Sequence, residues 1–273
     1  MQGITLYDSI CNKTSELLTS SYSTSFSMGI NLFDSSLRTP IRQIYGFVRI
    51  ADEIVDSFHG FNQAELLSQF RRDTHSAIKN KISFNPILNS FQKVVHNYNI
   101  DVEYIDAFLD SMEMDLTISK YNEKQYKKYI YGSAEVVGLM CLKVFVGGSQ
   151  KEFDELKSLA QFLGSAFQKV NFLRDIKSDY QERGRIYFPT MEKYELTENV
   201  KKDIESDISN DFLLAKVGIE RLPDTCRNGV KLAFLLFSEL LEKIKKMTAN
   251  ELLSKRVSVS TSKKILLLLR SKF

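Results

Sequence analysis

The chain has 273 residues, 43% of them apolar and 26% charged, with a net charge of +3. These are ordinary values for a folded, water-exposed protein, and so slight a positive charge gives no reason to expect a nucleic-acid partner. Four prolines and twelve glycines are few for this length, which argues against the many turns of an all-β fold and for long helices.

No internal repeat, low-complexity stretch or linker interrupts the sequence, so residues 1–273 read as one domain. The N-terminus lacks the basic-then-apolar pattern of a secretory leader. No run approaches the roughly 20 apolar residues of a membrane span. The expected location is cytoplasmic, with any membrane contact peripheral. Cys11, Cys141 and Cys226 are scattered, as reduced thiols would be, and His59, His75 and His96 have no metal-ligand spacing.

In chain order, residues 4–20 read as a first helix with Ile4, Leu6, Tyr7, Ile10, Cys11, Leu17 and Leu18 as its apolar set. The hydroxyl-rich segment Ser21 to Ser27 follows. Its serines suit either a helix cap or the lining of a phosphate site. From Asp34 to Phe58 a helical pattern carries Asp52 and Asp56. With Asp52 at zero, Tyr45, Arg49 and Asp56 fall within about 60° of it. Ordinary wet faces use lysine and glutamate, and aspartate is a poorer helix former, so this stripe needs another reason.

Residues 61–119 give one or two further helices, broken near Asn85-Pro86, with Asp106, Asp110, Glu113 and Asp115 expected on a solvated face. Residues 126–148 form another, with Gly132, Ser133, Ala134 and Gly138 marking a close approach of a neighbouring helix or a ligand. The stretch 152–180 is the second acidic helix. With Asp175 at zero, Gly164, Gln168, Asn171 and Asp179 lie within about 40°. That stripe holds no lysine or glutamate, which suits a lined cavity. A loop, 181–189, places Arg183, Arg185 and Tyr187 where a lid would sit. A long helical pattern over 211–246, interrupted at Pro223, and a basic amphipathic tail from Leu252, with Lys255, Arg256, Lys263, Lys264 and Arg270 around Ile265–Leu269, complete the chain.

Two aspartates one turn apart, on each of two helices, suit Mg²⁺, which binds one or two carboxylates together with substrate phosphates. Arg49 and Arg174 would grip a diphosphate. If that group left an allylic carbon, aromatic faces would stabilise the cation and a dry cavity would protect it.

Five blocks in order resemble the squalene/phytoene synthase family. They are Ser21 to Ser27 (SYSTSFS), Val48 to Asp56 (VRIADEIVD), Tyr131 to Gly138 (YGSAEVVG), Gln168 to Asp179 (QKVNFLRDIKSD) and Arg183 to Pro189 (RGRIYFP). The resemblance implies an all-α isoprenoid-synthase bundle around a central cavity, and head-to-head condensation of two prenyl diphosphates. By position, Asp52, Asp56, Asp175 and Asp179 would hold Mg²⁺, or Mn²⁺ in its place, with Glu53 in support. Arg49, Gln168, Asn171 and Arg174 would contact diphosphate or its metals. Ser23, Ser25 and Phe26 would lie beside the substrate, and Tyr131, Arg185 and Tyr187 would close the site.

The Asp-Glu-Ile-Val-Asp form of the first motif looks like phytoene synthase, whose product needs no NADPH. Ile176-Lys177-Ser178 departs from the valine, glycine and acid common in relatives. A C30 dehydrosqualene or squalene synthase, or a non-catalytic relative acting in assembly or lipid binding, stands as the alternative. Oligomeric state is left open.

Overall fold

The computed structural model describes residues 2–191 and 195–271. Among them the protein is all-α: no strand forms, and an isolated bridge pairs Lys120 with Ile186. α1 (Gln2–Tyr22) and α2 (Thr24–Ile30) meet at Ser23, whose hydroxyl accepts the Phe26 amide at 3.1 Å and caps α2. α3 (Ser35–Asp56), capped by Asp34, carries the first acidic motif in its last turns. Of the apolar set expected on α1, Cys11 is buried and Leu18 packs against the core, but the larger residues mostly face away. Ile4, Leu6, Ile10 and Leu17 are exposed, while Cys11, Ser15 and Thr19 are buried. Small side chains let α1 approach closely, with Ser15 Oγ 3.0 Å from Ser90 Oγ.

Three helices, rather than one or two, occupy the next stretch: α4 (Gln63–Asn80), α5 (Pro86–Asn97) and α6 (Val102–Thr117). Asn85 caps α5 with proline in its first turn, and Asn99 turns the chain at φ +51 before α6. α7 (Glu123–Ile130) begins in a capping box of Asn122 and Gln125, then runs through a π-helical turn, Tyr131–Glu135, into α8 (Val136–Phe145). Gly132 lies against α6, where a Cβ would fall 2.2 Å from the Ala107 carbonyl oxygen. This is the close helix approach that the small residues implied.

α9 (Gln150–Gln181) is 32 residues long and packs on α8, α10 and the π-helical turn. α10 (Glu198–Arg221) starts earlier than the pattern suggested and ends just before Pro223. α11 (Asp224–Lys245), α12 (Ala249–Ser254) and α13 (Thr261–Arg270) follow. One buried cluster gathers α3, α5, α6 and α8 around Phe47, which stacks on Phe91 at 4.0 Å. A second gathers α9, α10, α11 and α12. The C-terminal half of α9 belongs to the second cluster, and the last turns of α3 to the first. The two acidic motifs thus ride on separate packed units that meet at the site. No described helix is long and apolar enough to cross a membrane.

Candidate active site

On α3, Arg49 donates to Asp52 Oδ2 at 2.7 Å and also pairs with Glu53. The Tyr22 ring lies under that guanidinium, 4.2 Å from its Cζ, and Phe26 stacks on Tyr45 at 4.9 Å. The α1–α2 junction therefore brings the hydroxyl-rich block, with Ser23 and Ser25 half-buried, beside the first acidic turn. Burial, with Asp56 as a second contributor, pushes the Asp52 carboxyl up to about 6.

On α9, Asp175 accepts from Arg174 Nε at 3.0 Å, and its other oxygen accepts from Arg256 Nε at 2.6 Å. Burial works against the Asp175 anion, but the two arginines prevail and hold its carboxyl below the usual range. Asp179 moves the other way. Burial and the neighbouring Asp175 push it up to about 7, against Arg183 and Arg185. Gln168 and Asn171 are half-buried on the same stripe. Asn171 Oδ1 is buried without a hydrogen-bond partner, as is Arg49 Nε. An unpaired buried polar atom costs roughly 1–3 kcal/mol, so native proteins keep few of them without a function.

The loop after α9 draws the two turns together. Gly184 at φ +66 reverses the chain, and the Arg185 amide donates to the Asp179 carbonyl at 2.8 Å. Ile186 then pairs with Ser119 and Tyr121 through the backbone. Arg183 stands between the motifs, its Nε 3.5 Å from Asp56 Oδ1 and its Nη1 3.2 Å from Asp179 Oδ1. Arg185, which is buried, donates to Asp56 Oδ1 at 2.9 Å. The segment expected as a lid is pinned across both motifs by these pairs.

Three placements differ from the sequence reading. Asp115 is not on a wet face, for its side chain is 4% exposed. It accepts from Tyr129 at 2.7 Å, Tyr187 at 2.9 Å and Tyr121 at 3.3 Å. Asp106, Asp110 and Glu113, which share the opposite side of α6, do reach water and gather around Arg71. A signal was present: with Asp106 at zero, Asp110 and Glu113 fall within about 40°, but Asp115 lies near 180°, among the apolar residues. Burial pushes the Asp115 carboxyl up to about 6, although Arg185 and two phenols oppose it.

Tyr131 is not brought to the acids. It is half-buried with Tyr104, Lys157, Glu135 and Glu103 as its charged or polar neighbours. Tyr129, two residues earlier and about 200° around the helix, reaches Asp115 and Tyr187 instead. Phe172 stacks on Tyr187 at 4.1 Å to close that aromatic group. Arg256, read from sequence as part of a basic tail, reaches back to Asp175.

Among the described residues, no three Asp, Glu, His or Cys side chains are grouped closely enough to hold a metal ion. Arginines stand between the carboxylates. The donor set nonetheless fits a hard divalent cation: it is all oxygen, and Asp52 and Asp179 are raised in part by neighbouring carboxylates. Asn171 Oδ1 adds an unsatisfied oxygen one turn before Asp175. A cleft of about 620 Å³ lies elsewhere, lined by Tyr126, Glu135, Ser165, Lys169, Asp207 and Asp211 among others, and none of the four motif aspartates borders it.

A sequence profile of the squalene/phytoene synthase family matches residues 19–263. The chain belongs to that family. The chloroplastic phytoene synthase of an Oncidium hybrid cultivar is 28% identical to this squalene/phytoene synthase relative over 268 residues, 90% of the chain and 63% of that protein. The 4,4'-diapophytoene synthase of Staphylococcus haemolyticus is 27% identical over 195 residues, 70% of the chain and 66% of that protein. The chain thus spans about two thirds of the length of these curated relatives.

In three dimensions this family member superposes on a dehydrosqualene synthase crystallised with ligand, with a TM-score of 0.81 at 21% identity, over 99% of this chain and 97% of that one. A squalene synthase from Alicyclobacillus acidocaldarius gives 0.75 at 20% identity, over 86% and 93%. At these identities the likeness is one of fold.

Proposed function

We propose that the protein is a divalent-cation-dependent prenyltransferase that joins two prenyl diphosphates head to head, and that its reaction is phytoene synthesis from two geranylgeranyl diphosphates. The observation that carries this reading is Arg183, in contact with Asp56 of one motif and Asp179 of the other. It means that both acidic turns face one small volume. Asp52, Asp56, Asp175 and Asp179, with Glu53, would hold Mg²⁺ or Mn²⁺, which supplies charge neutralisation for a departing diphosphate. Arg49, Arg174, Arg183 and Arg185 exchange their carboxylate partners for diphosphate oxygens, with Gln168 and Asn171 as neutral donors beside them.

In the first step an allylic carbon–oxygen bond breaks and the diphosphate leaves with the electron pair. The double bond of the second substrate attacks that carbon, and loss of a proton closes a cyclopropyl ring, giving prephytoene diphosphate. Ionisation and rearrangement of that intermediate, with loss of a second proton, give phytoene, so no NADPH enters. Tyr22, Phe26, Tyr45 and Phe172 offer aromatic faces that favour a carbocation. Ser23 and Ser25 lie beside the first motif.

The relatives described above include both a phytoene synthase and a 4,4'-diapophytoene synthase. The second reading, a C30 enzyme using farnesyl diphosphate, therefore enters the same assay. Purified protein is given C15 or C20 diphosphate with Mg²⁺, with and without NADPH, and the hydrocarbon is identified by mass. A C40 product from the C20 donor is expected. A C30 product alone would move the assignment to the second reading, and no product from either would leave a non-catalytic relative. Peripheral membrane contact belongs to the reading as well, because α13 exposes Ile265, Leu266 and Leu269 beside Lys264 and Arg270. Co-sedimentation with anionic vesicles checks it.

A further inference from the structure

Asp115 sits in the last turn of α6, between the buried Met114 and the half-buried Leu116. Each of its hydrogen-bond partners comes from a different segment: Tyr121 from the loop after α6, Tyr129 from α7, and Tyr187 from the loop after α9. A buried carboxylate is costly unless paired and hydrogen-bonded. An aromatic cluster needs no charge to pack, so the three phenols do not explain why an acid is there. Arg185 does. Its Nη1 lies 3.7 Å from Asp115 Oδ1, within 3.4 Å of the Tyr187 hydroxyl, and donates to Asp56 Oδ1 at 2.9 Å.

Two guanidiniums converge on that one oxygen of Asp56, Arg183 from the solvent side and Arg185 from the protein side. Each cation opposes the other. Arg183 is 28% exposed and can turn into water, whereas Arg185 is 8% exposed and cannot. A buried arginine held next to another arginine needs a counter-charge behind it, and Asp115 is the acid in that position. Tyr187 completes the link, donating to Asp115 and touching Arg185.

We infer that Asp115 is a positioning residue: through Tyr187 and the Arg185 guanidinium, it fixes Arg185 against Asp56 and so sets where the first acidic motif meets the diphosphate. Its effect on turnover rests on the function proposed above, but its effect on Arg185 does not.

The test uses full-length protein and three variants, Asp115→Asn, Arg185→Met and the double variant. In a crystal structure of Asp115→Asn, Arg185 is expected to leave Asp56. In kinetics with prenyl diphosphate, KM should rise by about 10- to 100-fold, with kcat less affected, because diphosphate binding is what Arg185 supplies. The double variant should be no worse than Arg185→Met alone, since Asp115 acts through that residue. Tyr121→Phe removes a phenol but leaves the Asp115–Arg185 contact, so its kinetics should stay within about twofold of wild type.

If Asp115→Asn does not fold, the double variant, which removes both charges, should fold. Failure of both would assign Asp115 to the aromatic cluster and overturn the inference. So would an Arg185 that stays on Asp56 in folded Asp115→Asn, or losses that multiply in the double variant. A wild-type protein that turns over no prenyl diphosphate would defeat the proposed function while leaving the crystallographic reading of Arg185 intact.

Discussion

Replacing Asp179 by Asn tests whether the site stores electrostatic strain. The Asp179 side chain is 13% exposed, and its carboxyl is moved from 3.8 to about 7 by burial and by Asp175. At ~1.4 kcal/mol per tenfold, holding the anion there at pH 8 costs up to about 4 kcal/mol. That figure already includes the opposing pull of Arg183, and relaxation of the buried site reduces it, so the net gain from Asn should be about 1–3 kcal/mol. In a chain of this size that raises Tm by roughly 2–6 °C.

The sign follows from proton binding. Because the folded pKa is raised, the cost is absent below about 3.8, grows as pH rises, and is complete above about 7. Thermal or urea melts of wild type and Asp179→Asn, in chelator, at pH 8 and pH 4.5, are the assay. The variant should be the more stable at pH 8, with the advantage shrinking towards pH 4.5. Equal stability at pH 8, or an advantage independent of pH, would refute the reasoning. On the proposed function the stabilised variant is also inactive.

Asp52→Asn and Asp175→Asn should each lower Mg²⁺-dependent turnover by roughly 10²- to 10⁴-fold while circular dichroism stays unchanged; full turnover would remove the metal assignment. Gly132→Ala places a Cβ against the Ala107 carbonyl oxygen and should cost about 1–3 kcal/mol in denaturant melts, and an unchanged midpoint would show that the π-helical turn yields freely. Titration calorimetry of Mg²⁺ with inorganic diphosphate at pH 6.5, after subtraction of the same titration without protein, should show an excess heat that varies with buffer ionisation, because Asp52 and Asp179 release protons as the ion binds. That dependence should fade by pH 8.5, and its absence at pH 6.5 would mean that neither carboxyl was protonated.

The acidic turns were legible because composition and period agree there: aspartates one turn apart, on stripes without lysine, have few uses other than a site. The helices were legible for the same reason of period. What failed was the direction in which a helix faces when polar and apolar residues compete. On α1, Ser15 and Thr19 point inward because close packing favours small side chains over large apolar ones. On α6, Asp115 is near other acids in sequence, yet helical geometry puts it on the opposite side. Tyr129 and Tyr131 are alike in local sequence, and only contacts from α6 and the loop after α9 separate them. Arg256 could not be placed from sequence, because an ion pair spanning 81 residues leaves no local trace.

The alternation of guanidiniums and carboxylates across the two acidic turns bears on the order in which ligands can arrive. A lone cation must evict arginines and strand them; a lone diphosphate must capture arginines and strand aspartates. Brought together, the two ligands trade partner for partner, and every charge in the resting network finds a replacement. On the proposed function, the metal and the diphosphate should each tighten the grip on the other, by the same factor in both directions, and either one offered singly should bind weakly.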